Sequence, residues 1–521
     1  MKKRILTVMC CALITASTAA CGAVKSDFSL PGELIPSAEL GISIPETLAG
    51  TDKPIGENNP IASNYFFADP TSVEYDGRLY VYGTSDQQEY DAKSGIGDNS
   101  YGSINTLACF STADMVNWTY HGTIPVTEIA TWAGCSWAPS IVSRERNGKT
   151  EFFLYFANSG GGVGVLTSDS PTGPWTDPIG GPLVAPNTNE LASDPVCWCF
   201  DPGVCIDDNG VGWIAIGGGN PMHVDESDYM PGNCRLARLG EDMISLDSEL
   251  VKIPAPYHFE ANELNYINGT WALTYCTNWA NRGIWPSNSE IPAPSVCSMA
   301  YMTSTDPLNP DSWEYRGEYL TNPNQHGYPT SNNHTRLQKF KDKYYILYQN
   351  VSLLENIGSS ATGFRSIGVD VCEVDEDTVT FSPASMTDKG VDAVSTLDVF
   401  SVNQAETTYT TAGVKFYTLD GVTFVTSISD GDWTGVREAD FKGGANAFAA
   451  SVRGKGAIEI RLDSPQGKTV GKLEFDISGE QFKNVTVSLD RTVSGVHDLY
   501  FVFGGSFVFD SWQFAYLESE Q

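Results

Sequence analysis

Positive charge is scarce in this chain. Lys and Arg together number 31 against 64 Asp and Glu, leaving a net charge of −33 at neutral pH. Nucleic acids and anionic membrane surfaces are gripped by clustered Lys and Arg, so the composition argues against both as partners. Long apolar runs are missing after the first twenty residues, and none approaches the ~20 residues of a membrane-spanning helix. Long amphipathic helical patterns are missing too. The twelve cysteines lack zinc-knuckle spacing: Cys197 and Cys199 sit one residue apart, and the rest are scattered through strand-like contexts. They read as buried free thiols, with room for one or two disulfides if the protein is exported.

What is present begins with MKKRILTVMCCALITASTAAC, in which Lys2, Lys3 and Arg4 precede an apolar stretch that ends in small residues. Residues 1–20 read as an export signal that takes Cys10 and Cys11 with it. Cys21, directly after that stretch, resembles the acylated cysteine of bacterial lipoproteins. The expected location is therefore the cell surface through a lipid anchor, or the extracellular medium. Residues 21–58 read as a tether.

The remainder is rich in Gly (50), Phe (24), Tyr (23) and Trp (12) and reads as all-β. One pattern recurs: a strand, a tight turn and a second strand rich in aromatic or β-branched residues. The turns fall at Asp76-Gly77, Asn147-Gly148, Asn209-Gly210, Asn268-Gly269 and Lys341-Asp342. Asp-Gly and Asn-Gly are strong hairpin signals because both central positions tolerate positive φ. Five copies spaced by about 60 to 70 residues predict a five-bladed β-propeller over residues 59–388.

Counting back from each turn gives Asp69 in "ADPT", Trp137 in "WAPS", Asp201 in "FDPGV", Glu260 in "FEANEL" and His334 in "NNHT". Equivalent positions in successive blades surround one axis, so these five are expected to converge at its mouth. A lone Asp-Pro is most often a strand cap. Two Asp, one Glu and one His at matching offsets make a catalytic constellation. Crowded carboxyls titrate apart, which leaves one ionised as a base and another protonated as an acid. Cleaving a glycosidic bond requires that division. Glu260, in the apolar setting "PYHFEANEL", is the expected acid and Asp69 the expected base. Strand alternation turns Glu263 to the other face, whereas His258 shares the face of Glu260. The loop from Gln87 to Gly102 is expected to overhang the mouth.

The ordered motifs "ADPT", "STADMVNW", "WAPS", "SDSPTGPW", "FDPGV", "FEANEL" and "NNH" resemble glycoside hydrolase family 43. That resemblance implies a five-bladed propeller that hydrolyses α-L-arabinofuranosyl or β-xylosyl bonds with inversion. It also implies roles: Asp69 as general base, Glu260 as general acid and Asp201 as the group that tunes and orients. Trp137, Arg365 in "GFRSIGVD" and His258 are candidates for binding the sugar. His334 matches a histidine that helps hold an axial calcium ion, mainly through water, while Asn332 and Asn333 shape the strand.

After residues 389–402, read as a linker, residues 403–521 alternate as the strands of a β-sandwich. This part resembles carbohydrate-binding module family 6, which implies a structural calcium held by Glu406 and Asp510. Gln404 stands where another Glu is common, and Val508 where an Asn would bind sugar. Tyr417 and Trp433 are its aromatic candidates. The expected function is removal of arabinofuranosyl groups from arabinoxylan or its oligosaccharides by a monomer without an organic cofactor. β-Xylosidase action is the alternative within the family. A non-catalytic surface glycan-binding protein is the alternative of another class.

Overall fold

The computed structural model describes residues 28, 30, 47–188, 191, 197–219, 229–279, 284–419, 422–426, 429–477 and 481–518. The expected export signal and Cys21 lie outside the described residues. The chain divides into two compact units, residues 51–394 and a second that comprises residues 1–50 with 395–521.

The first unit is the five-bladed propeller. Its inner strands are Ala68–Tyr75, Trp137–Arg146, Gly203–Ile206, His258–Ile267 and Thr335–Phe340. Each touches the next, and the fifth returns to the first, which closes the ring. Every blade continues outward as an antiparallel sheet. Blade 4, for example, runs His258–Ile267, Thr270–Thr277, Met299–Ser304 and Glu314–Leu320. The core lies mostly between blades. Tyr82, Leu107, Ile141, Phe152 and Leu154 pack between blades 1 and 2, and Trp213, Leu236, Leu264, Trp271 and Leu273 between blades 3 and 4. Their burial, at about 25 cal/mol per Å² of apolar surface, is the main force holding blade to blade.

Four of the five recurring turns join strands through two residues that both have positive φ: Asp76-Gly77, Asn147-Gly148, Asn268-Gly269 and Lys341-Asp342. This backbone twist matches that of the flanking strands. Lys341-Asp342 takes the shape without glycine, at φ 46° and 65°. The third turn differs, because Ile206 pairs with Gly212 across five residues. There Asp207 Oδ1 accepts from the amides of Asn209 and Val211, and only Gly210 is left-handed.

At their other ends three of the inner strands bulge. Pairing slips between Ala68 and Thr71, between Trp137 and Ser140, and between Glu260 and Glu263. Asp69, Ala138 and Ala261 carry positive φ at these places, and Asp201 does so just before Gly203–Ile206. A bulge adds one residue to one strand and re-aims the side chains beside it. Glu263, expected to turn away from the face of Glu260, does not line the cavity formed there. It is buried and holds Arg336, on the inner strand of blade 5, at 2.7 Å.

The second unit is all-β. Its 18-residue strand Ala445–Leu462 pairs with different partners along its length: Lys483–Val493 beside its first half, Lys468–Ile477 beside its second. The unit is wider than the sequence suggests. Leu397–Asp398, inside the expected linker, pairs with Ala439–Asp440. Gly50, inside the expected tether, exchanges backbone hydrogen bonds with Gly413 and Val414. Tyr417 packs on Phe424 and Phe482, and Trp433 on Tyr409 and Tyr500. Both aromatic candidates of this unit are core residues.

Candidate active site

At the bulged ends of the inner strands lies a cavity of about 350 Å³, lined by Asp69, Tyr101, Trp137, Asp201, Glu260 and Arg365 among others. His334 lines it as well, so all five positions counted back from the turns meet there.

Asp69 is 7% exposed. Its amide donates to Gln349 Oε1 at 2.7 Å, and its Oδ1 stands 2.7 Å from Arg365 Nη1 and 3.4 Å from His334 Nδ1. Burial alone would raise this carboxyl, but Arg365 and His334 outweigh it and hold Asp69 well below the usual carboxylate range. Asp201 Oδ2 accepts from the Ala261 amide at 2.8 Å, next to Glu260. Burial pushes Asp201 up to about 6, with the negative charge of Asp69 adding to it and His334 opposing. Glu260 lies deep in the cavity with part of its surface open to it. Burial first, then the charge of Asp201, raises it well above the ordinary value. A carboxyl that is held low and one that is held high thus face the same space.

Arg365 is expected from the sequence to meet sugar hydroxyls, yet its guanidinium is committed to the protein. Nε and Nη2 each reach Asp86 at 2.8 Å, Nη1 reaches Asp69 and Asn332, and the ring of Tyr101 lies 5.0 Å from Cζ. Asp86 opens the short helix Asp86–Ala92, and Tyr101 ends the loop expected to overhang the mouth. That loop also positions Trp137, whose Nε1 donates to the Tyr101 carbonyl at 3.2 Å.

His258 does not line the cavity. A register shift separates it from Glu260, so the shared face expected from alternation is lost. It is buried, with Nδ1 2.7 Å from Asn233 Oδ1 and Nε2 2.7 Å from Asn262 Oδ1. Burial pulls it down to about 4, against the hydrogen bond that Asn262 Oδ1 accepts. Asn262 in turn donates to the backbone carbonyls of Asp201 and Gly217. His258 supports the wall rather than touching what enters. Asn332, read from the sequence as a strand-shaping residue, lines the cavity and accepts from Arg365.

Sequence reasoning missed an aromatic wall of Trp198, Phe200, Phe259 and Trp279. Trp198 meets Phe200 edge-on at 5.5 Å, and Phe259 lies 5.8 Å from Trp279. Phe200 and Phe259 each precede an acid of the constellation, a signal that was legible. Trp198 and Trp279 carry none.

The sequence indicates a cation at two places. On the axis His334 Nδ1 faces Asp69, and no group of three or more His, Cys, Asp or Glu is gathered for a metal among the described residues. The side chains there do not fit a directly held ion. In the second unit, Glu406 Oε2 and Asp510 Oδ1 are buried without a hydrogen-bond partner. Burial raises Glu406, with Asp510 adding to it, and burial raises Asp510 to about 6. Two unpartnered buried carboxyl oxygens fit a hard cation. Gln404 is exposed.

Residues 57–378 match the family model for glycosyl hydrolases family 43, and residues 404–516 match that for the carbohydrate binding module, family 6. The chain belongs to glycosyl hydrolase family 43. It is 39% identical over 490 residues to an arabinoxylan arabinofuranohydrolase of Bacillus subtilis, covering 89% of this chain and 93% of that protein. It is 36% identical over 486 residues to an arabinoxylan arabinofuranohydrolase of Paenibacillus polymyxa, covering 88% and 74%. The crystal structure of a family 43 arabinoxylan arabinofuranohydrolase from Bacillus subtilis in complex with cellotetraose matches with a TM-score of 0.82 at 38% identity, covering 90% of this chain and 99% of that one.

Proposed function

We propose that this glycosyl hydrolase removes single α-L-arabinofuranosyl groups from arabinoxylan and its oligosaccharides, with inversion. The observation that carries this reading is that Asp69, held low by Arg365 and His334, and Glu260, raised by burial and Asp201, line one cavity. Its volume of about 350 Å³ is at the small end for ligand pockets and suits one sugar ring better than a chain segment. The two arabinofuranohydrolase relatives, each similar over most of this chain, support the choice of sugar.

In this mechanism Asp69 takes a proton from a water that attacks the anomeric carbon. Glu260 delivers its proton to the departing glycosidic oxygen on the opposite side. Asp201, fixed on the Ala261 amide, keeps negative charge beside Glu260 and so favours its protonated form. Arg365 keeps Asp69 ionised. The aromatic wall of Trp198, Phe200, Phe259 and Trp279 and the opposite face of Tyr101 and Trp137 offer apolar surface to the C–H faces of the sugar. The basic and apolar residues before Cys21 support an exported setting, where such polysaccharides are met. Glu406 and Asp510 would hold a structural calcium in the second unit.

The test is arabinose release from arabinoxylan, with 4-nitrophenyl arabinofuranoside and xyloside in parallel, by the wild type and by Glu260→Ala. Release by the wild type and its collapse in the variant support the reading. Equal turnover in the two proteins would remove Glu260 from the mechanism, and faster xyloside cleavage would make the enzyme a xylosidase. Proton NMR of the first product should show the β-anomer from an α-linked substrate; the α-anomer would exclude inversion.

A further inference from the structure

Two cysteines that the hydrolytic chemistry does not use meet directly behind the acid. Cys276 belongs to the strand Thr270–Thr277, where it is the register partner of Glu260. Cys297 precedes the next strand, Met299–Ser304. Their sulfurs are 3.6 Å apart and both side chains are fully buried. They are also consecutive cysteines in the chain, separated by twenty residues that include Trp279 of the cavity wall.

The backbone holds the two close. Cys276 pairs with Met299, Thr277 donates to Ser298 at 2.9 Å, and Cys297 donates to Asn278 at 3.1 Å, so the two cysteines lie diagonally across one laddered stretch. Cys297 has a left-handed backbone, φ 49°. Its carbonyl accepts from Asn333 Nδ2 at 3.3 Å, and its thiol touches the Ser331 carbonyl. Asn333 lines the cavity. The pair thus sits where the Glu260 strand, the base of the Trp279 segment and the Asn333 segment come together. A disulfide requires sulfurs about 2.05 Å apart, a closure of ~1.5 Å that a modest χ1 rotation of either side chain supplies.

We propose that Cys276 and Cys297 form a disulfide that clasps the wall behind Glu260. The step is exchange with a small-molecule or protein disulfide. One thiolate attacks the oxidant and expels a thiol, and the second thiolate attacks the mixed disulfide and expels the other. Two protons and two electrons leave the pair, and the oxidant becomes two thiols. Because both sulfurs are buried, exchange takes place before the strands close. Consecutive cysteines in a laddered hairpin are well placed to find each other at that stage. The bond shortens the free loop of the unfolded chain and so favours the folded wall.

The experiment uses the full chain produced in an oxidising compartment, unfolded directly in denaturant that contains the alkylating agent. Peptide mapping should give one cross-link between the Cys276 and Cys297 peptides, with an intact mass 2 Da below that of the fully reduced chain. The protein should also lose a few degrees of Tm in dithiothreitol, and Cys276→Ala and Cys297→Ala should abolish that difference. Recovery of both cysteines in the alkylated form, or a cross-link to other cysteines, would overturn the proposal. So would a cross-linked protein whose Tm is the same with and without reductant. The mapping is done on the wild type, so it stands even if a variant folds poorly.

Discussion

Arg365 Nη1 and Asp69 Oδ1 stand 2.7 Å apart in the wall of the cavity, both almost wholly buried. The guanidinium is itself anchored by Asp86, so the proposed base is held by a cation that cannot swing away. Removing one partner of such a buried pair typically costs about 3–5 kcal/mol. Arg365→Gln should therefore lower Tm by several degrees. It should also let Asp69 rise from its depressed value, because burial then acts without its main opponent. A base must be ionised to work, so the acid limb of the kcat profile should move to higher pH. An acid limb that stays in place or moves down would show that Arg365 does not set the charge of Asp69.

Glu260→Gln should lose about 10²- to 10⁴-fold in turnover on arabinoxylan, the usual worth of a general acid. With a 4-nitrophenyl arabinofuranoside, whose leaving group needs little protonation, the loss should be much smaller. Because burial and Asp201 raise Glu260, the wild type should fall off on the alkaline side at a higher pH than an ordinary carboxyl would set. The variant should lack that alkaline limb. Equal losses on the two substrates would argue against proton donation.

Gly203 of "FDPGV" has an ordinary backbone, yet a Cβ there would lie 2.5 Å from Glu263 Cα and 2.7 Å from the Asn262 carbonyl oxygen. These are backbone atoms of the Glu260 strand and cannot turn aside. Gly203→Ala should cost about 1–3 kcal/mol as overpacking and push the acid out of line. A fall in kcat larger than the change in KM is expected. A variant with wild-type Tm and kcat would show that the two inner strands are less closely fixed.

The second unit supplies a metal-removal test. Asp510 is raised to about 6, and Glu406 is raised as well, so the metal-free fold prefers both as neutral acids. A carboxyl raised in the folded state contributes most below its unfolded value of about 3.9 to 4.3. That contribution is lost as pH rises through the folded value. Chelator-treated protein should therefore lose stability in this unit between about pH 4 and pH 6. Calcium binds the ionised carboxyls and should restore Tm at pH 7 while having little effect at pH 4. A calcium effect of equal size at both pH values would place the ion elsewhere.

The propeller was legible because its turns are local. Asp76-Gly77 or Asn268-Gly269 announces itself in two residues, and the offset to Asp69 or Glu260 then follows by counting. Lys341-Asp342 was found only by its spacing. The arrangement around the acids was less legible for a geometric reason. Alternation assumes an unbroken pleat, and the slip between Glu260 and Glu263 breaks it. A second slip, between His258 and Glu260, defeats the placing of His258. The Asp86–Arg365 pair joins residues 279 apart in sequence, and nothing local marks either as the other's partner. Glu406 and Asp510 were found through resemblance alone, since two acids far apart in a β-rich chain carry no joint signal.

The bulges also act as breaks between two kinds of demand on one strand. From Thr71 to Tyr75 the first inner strand runs in regular register with Arg78–Tyr82, while Asp69 stands outside that register. The same division separates Glu260 from the ladder that begins at Glu263. A change of length or sequence on the mouth side of a bulge leaves the pairing beyond it untouched. The rim can therefore be reshaped for another sugar branch while the ring beneath keeps its register.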